Sequence, residues 1–225
     1  MFSQEVIQDI HVSSISVPGI AMNLDKLKLA EAHFLQQYPG GFDHPDMVKI
    51  GKKHPVDKMS EFTREVFAKK QFKRPNELLG NLIKIISRSS MVSMFEKPKF
   101  RDFVNSLNSR DRSALAKGLK KLLHGKQEAG FNDMLDLMAD GKVARWSLIT
   151  IALLYFDLQA EVFVKPTTTK RIIEQLELDH LIYRPRPSWA FYESYRTTII
   201  EMKSMVDPSL SPNNAAFTGF LMMAL

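Results

Sequence analysis

The stretch WSLITIALLYF, residues 146–156, is the most apolar run in the chain, and its reading decides the fold. It has no polar face at either a helical or a strand period, so whichever element it forms is enclosed on all sides. A central helix buried all round is the first reading. A buried strand competes with it, because Ile149, Ile151 and Tyr155 also favour sheet and periodicity does not separate the two in so short a run. The run falls well short of the roughly 20 residues needed to cross a bilayer, so no membrane span is expected.

Outward from this core the pattern is helical. Apolar residues at 24, 27, 30, 34, 35 and 38 follow Asn23, a suitable N-cap, and end at Pro39-Gly40-Gly41. The steps His44-Pro45, His54-Pro55 and Arg74-Pro75 each precede a helical stripe, as expected of proline at a first helical position. Lys97-Pro98 opens a further helix, Asn108 caps the next, and Gly125 closes it. Another helix runs from about Gln127 to Ala139. Ser188 caps a long helix with an apolar seam at Tyr192, Tyr195, Ile199, Met202 and Val206, spaced as in a coiled coil. The start, Met1 to Met22, reads as a short helix and a loop.

The expectation is therefore an all-α protein: one compact domain, residues 1–207, of about eight to ten short helices around the 146–156 segment, followed by a C-terminal tail, 208–225. The tail and the seam before it offer a docking or homodimer surface.

Composition narrows the chemistry. The chain has no cysteine, which excludes disulfides, thiolate nucleophiles and sulfur-ligated zinc and makes the cytoplasm the default compartment. The first residues, MFSQEVIQDI, carry acidic side chains where a secretory signal is apolar. Lys and Arg outnumber Asp and Glu by 31 to 25, a net charge of +6, which favours nucleic acid or another polyanion as partner. No Gly-rich phosphate loop and no zinc-ligand spacing of histidines occurs, so no cofactor or metal is expected.

Four clusters carry candidate chemistry. In KPTTTKRIIEQLELDHLIYRPRP, residues 165–187, Lys165, Lys170, Arg171, Arg184 and Arg186 supply five positive charges against Glu174, Glu177 and Asp179, and Thr167, Thr168 and Thr169 sit at a helix start. Hydroxyls and free N–H groups there suit an anion, and a threonine that merely caps the helix is the structural alternative. Lys117, Lys120, Lys121 and His124 form a ridge opposite Leu115, Leu119, Leu122 and Leu123; it reads either as a phosphate-tracking surface or as a solvated face. Asp133, Asp136 and Asp140 fall on one face of the next helix, the arrangement a metal-dependent hydrolase would use or simply another solvated face. Trp189, beside Arg184 and Arg186, is a candidate for base stacking.

Thr169, Arg171, Ile172, Ile173, Leu176, Glu177, Leu181, Ile182 and Arg184 follow the order and spacing of the recognition helix in MarR-type winged-helix repressors, which this stretch resembles. The resemblance implies that Thr167, Thr168, Lys170 and Arg171 face a DNA major groove. His180 stands where that family has its turn glycine, and Pro185-Arg186-Pro187 leads into a helix rather than a wing. Val17-Pro18-Gly19-Ile20-Ala21 resembles the hairpin of helix-hairpin-helix DNA proteins. Over the blocks HFLQQYPGGFDHPDMVKIGKKH, ISRSSMVSMFEKPKFRDFV and VFVKPTTTKRIIEQLELDHLIYRPRPSWAFY the chain resembles an uncharacterised group of bacterial cytoplasmic proteins, which implies no activity.

Overall fold

A computed structural model describes residues 21–225, so the expected helix and loop before Met22 and the hairpin-like Val17–Ile20 lie outside the described residues. Among those residues there are eleven α-helices and no strand: α1 Leu24–Gln37, α2 Pro45–Lys53, α3 Val56–Val66, α4 Pro75–Arg88, α5 Glu96–Ser106, α6 Ser109–His124, α7 Gln127–Asp140, α8 Trp146–Phe156, α9 Pro166–Gln175, α10 Trp189–Lys203 and α11 Asn214–Ala224. Three 3-10 turns, at Gly41–Asp43, Lys69–Lys73 and Pro208–Leu210, join them. The all-α expectation holds.

The 146–156 run is a helix, α8, and ten of its residues from Trp146 to Tyr155 are buried. Its neighbours are α3, α4, α6 and α7, which enclose it as the absence of a polar face requires. Thr150, its one mid-helix hydroxyl, donates back to the Trp146 carbonyl at 2.7 Å. Local chemistry set the ends of the other helices. Asn23, Asn108 and Ser188 each accept from a backbone N–H of the first turn. Pro45 and Pro75 open α2 and α4, whereas Pro55 stands one residue earlier, before α3.

The C-terminal stretch, read from sequence as a tail, is part of the core. Asn213 caps α11, and Phe217, Phe220 and Leu221 are wholly buried where α11 packs against α1, α9 and α10. The preceding 3-10 turn docks on the Gly41–Asp43 turn. Gly41 has φ +63°, and a β-carbon on it would lie 2.5 Å from the Ser209 hydroxyl. The seam on α10 is likewise consumed inside the chain: Tyr192, Tyr195, Ile199 and Met202 are fully buried and Val206 nearly so. The side chains proposed for a homodimer contact therefore serve the core of their own subunit.

Between α8 and α9 the chain crosses the interior without regular structure. Glu161 to Val164 are all buried there, and buried backbone groups outside helices need partners. Side chains supply them. The Val162 N–H donates to the Tyr192 hydroxyl at 3.3 Å and that of Val164 to Thr150 Oγ1 at 3.1 Å. Asn214 Nδ2 donates to the carbonyls of Gln159 and Glu161, both at 2.9 Å. The Glu161 carboxylate accepts from Tyr192 at 2.6 Å and from Arg196 at 3.2 Å, and Gln127 bridges it to Arg196. Arg196 also lies 5.5 Å from the ring centroids of Trp189 and Tyr192. Burial and the adjacent Glu161 charge push the Tyr192 phenol well above its ordinary range.

Candidate functional site

Helix α9 begins at Pro166, which shifts the N-cap back to Lys165 and draws the three threonines into the first turn. No side chain caps the helix, so the threonine-cap alternative is not realised. Thr167 is exposed, Thr168 half-buried and Thr169 fully buried against the core. Lys165, Lys170 and Arg171 are exposed, while Ile172 and Leu176 hold the opposite side of the helix inward. The carboxylate at the far end of α9 is turned away from these cations. Glu177 accepts from Lys26 Nζ at 2.7 Å and from Asn23 Nδ2 at 3.1 Å, tying α9 to the start of α1; the Lys26 hydrogen bond, helped by Asn23, lowers its pKa. Glu177 also adopts the left-handed backbone that ends α9, with φ +55°.

Beyond that turn the chain runs through residues 179–188 without helix or strand and leads into α10. Lys170 Nζ lies 5.9 Å from the Tyr183 ring centroid, so this cation of α9 meets the segment that carries Arg184 and Arg186. Both arginines are exposed. None of Lys165, Lys170, Arg171, Arg184 or Arg186 forms an ion pair with a described residue.

This strip of charge continues onto residues that no sequence motif marks. A cleft of about 320 Å³ separates Pro185 and Arg186 from the turn between α7 and α8, and its lining includes Lys142 and Arg145. The two turns are fixed to each other by Trp146, whose indole N–H donates to the Arg184 carbonyl at 2.8 Å. Lys142, Arg145 and Arg186 thus line one cleft, while Lys170 lies against Tyr183, whose ring packs on Trp146.

The ridge on α6 stands apart from this strip. Helix α6 packs against α7, α4, α8 and the Lys69–Lys73 turn, whereas α9 packs against α11. Lys117 and Lys120 are exposed and without an ion-pair partner among the described residues, but Lys121 binds Asp133 at 2.6 Å. His124 leaves the ridge altogether: its Nε2 meets the Phe67 carbonyl at 2.7 Å, and its ring packs edge-on against Phe72 and Phe156. In exchange, the docked 3-10 turn sets the exposed Lys69, Lys70 and Lys73 beside α6.

Two sequence candidates do not survive as drawn. Trp189 is 92% shielded, since its relative exposure is 8%, and its ring contacts Phe131, Tyr192 and Arg196. No base can stack on it without opening the core, because the first turn of α10 is buried on several sides. Asp133, Asp136 and Asp140 do not converge into a cation site, and among the described residues no group of three His, Asp or Glu side chains does. The Asp133 carboxylate is occupied by Lys121.

Comparison of the chain with models of protein families, with curated proteins and with solved structures gives no match.

Proposed function

We propose that the protein binds nucleic acid, or a polyanion of similar charge spacing, through the strip formed by Lys165, Thr167, Lys170 and Arg171 of α9 and continuing over Arg184 and Arg186. The observation that carries this reading is that Lys165, Lys170, Arg171, Arg184 and Arg186 are all exposed and none forms an ion pair with a described carboxylate. Clustered like charges repel one another, and their retention on one side of a folded chain is favourable where an anion neutralises them. The lysines of α6 and of the Lys69–Lys73 turn give a second, weaker basic surface, because Lys121 is already paired.

Fluorescence anisotropy with random-sequence DNA and RNA across a salt series tests the reading. Five phosphate contacts give a slope of about −3.5 in log K against log salt for single strands. The double variant Lys170→Ala/Arg171→Ala reduces that slope by about 1.4, whereas Lys117→Ala/Lys120→Ala changes it less. Failure to bind either nucleic acid at low ionic strength overturns the proposal.

A further inference from the structure

Two residues other than glycine adopt a left-handed backbone among the described residues, Glu177 at φ +55° and Lys142 at φ +56°. Each follows a helix, where glycine is the ordinary choice because its lack of a β-carbon removes the steric cost. At Lys142 the hydrogen bonds are those of a helix end that glycine normally occupies: its N–H donates to the Ala139 carbonyl at 2.9 Å, and that of Val143 to Met138 at 2.8 Å.

The side chain of Glu177 accounts for its presence, since it fastens α9 to Asn23 and Lys26. Lys142 makes no such fastening. Its ammonium forms neither a hydrogen bond nor an ion pair with a described residue, and the side chain lines the cleft of about 320 Å³ together with Arg145 and Arg186. The rest of the lining is Ala139, Ala144 and Pro185, with no carboxylate. Three exposed cations line the cleft from two turns whose backbones the Trp146–Arg184 hydrogen bond ties together. The Arg186 guanidinium offers a planar pair of N–H donors, that of Arg145 the donors left beside its Nη1 bond to the Ala144 carbonyl at 3.1 Å, and the ammonium a compact charge, a set suited to a tetrahedral dianion.

The geometry points to a phosphomonoester site: the cleft takes a terminal phosphate group, with the remainder of the ligand lying outside it. This inference deepens the polyanion reading and rests on it where the phosphate is the end of a nucleic acid strand. A free phosphorylated small molecule presents the same chemistry, and the test separates the two sources.

The full-length chain is titrated with one oligonucleotide sequence in three forms, with hydroxyl ends, with a 5′ phosphate and with a 3′ phosphate. Inorganic phosphate is used as competitor and, alone, in thermal melts. One phosphorylated form is expected to bind about tenfold more tightly than the hydroxyl form, a gap that millimolar phosphate erases. Lys142→Gly is expected to abolish the gap while retaining binding of the hydroxyl form, and Arg186→Ala, which belongs to the strip, to abolish the gap and weaken the hydroxyl form as well.

Lys142→Gly has a second signature. It relieves the left-handed strain, so its melting temperature without phosphate rises by about 2 °C or more even as the phosphate preference is lost. Equal binding of all three oligonucleotides, with no thermal shift from phosphate, overturns the site and leaves the polyanion reading intact. A Lys142-dependent thermal shift without oligonucleotide binding overturns that broader reading and assigns the site to a small phosphorylated ligand. A Lys142→Gly protein that melts lower than the parent overturns the argument from strain.

Discussion

Replacing Gly130 by alanine tests the close approach of two helices. Gly130 lies on α7 where it crosses α6, and a β-carbon there would stand 2.1 Å from the Leu122 nitrogen, 2.6 Å from its α-carbon and 2.7 Å from the Gly118 carbonyl. All three atoms are backbone, so no rotamer change relieves the clash and the helices must separate by about an ångström to restore ordinary contact. That displacement loosens Leu115, Leu119 and Leu122 against Phe131, Met134 and Met138, all buried. Overpacking of this kind costs up to about 3 kcal/mol, against about 1 kcal/mol gained from alanine's better helix propensity. The net loss of about 2 kcal/mol corresponds to a fall of about 4–8 °C in melting temperature for a chain of this size.

Gly118→Ala is the matched control. Its β-carbon meets the flexible Met134 Cγ at 2.9 Å, which can move, so propensity offsets the contact and stability stays near that of the parent. Differential scanning calorimetry of both variants decides the matter. A Gly130→Ala protein as stable as the Gly118→Ala protein refutes the close approach of α6 and α7.

Three further outcomes follow from the packing. Arg196→Met leaves the buried Glu161 carboxylate without its cation and is expected to cost about 3 kcal/mol in denaturant unfolding; adding Glu161→Gln recovers part of the loss. Truncation before Pro208 removes the wholly buried Phe217, Phe220 and Leu221 and is expected to give a protein without cooperative unfolding, read by circular dichroism on heating. Alkaline pH destabilises the fold through Tyr195, whose phenol burial pushes up to about 12, opposed in part by the adjacent Thr169 hydroxyl. Below about pH 10 the phenol is protonated both folded and unfolded; above it the unfolded chain loses the proton first, so stability falls as pH rises toward 12. Tyr195→Phe is expected to lessen this decline, to which the buried Tyr192 phenol also contributes, and because neither the Tyr195 nor the Thr169 hydroxyl has a hydrogen-bond partner among the described residues, it leaves neutral-pH stability near the parent value.

Much of the fold is legible in the chain because the signals are local. Asn23, Asn108 and Ser188 cap helices through their own next turn, and the all-apolar residues 146–156 demand enclosure whatever surrounds them. What could not be read depends on pairings between distant segments. Phe217, Phe220 and Leu221 have helical spacing, but only the arrival of α1, α9 and α10 makes them core rather than tail. Trp189 looks free because it lies off the three-four seam of α10, yet Phe131 and Arg196 cover it. The exposure of Lys170 and Arg171 follows from the inward stripe Ile172 and Leu176. Lys142 and Arg145, by contrast, are single cations in an ordinary turn, and neither the left-handed backbone nor the opposing Arg186 leaves a mark in the residues around them.

The irregular crossing from Glu161 to Val164 bears on the order of events during synthesis. Its donors and acceptors are satisfied by Thr150, which is made before it, but also by Tyr192 and Asn214, which are made after. Until Asn214 has been joined, the carbonyls of Gln159 and Glu161 lack the side-chain donor that the finished fold gives them. The chain therefore cannot complete its interior residue by residue as it leaves the ribosome. Its last hydrogen bonds wait for α11, whose first residue supplies the asparagine.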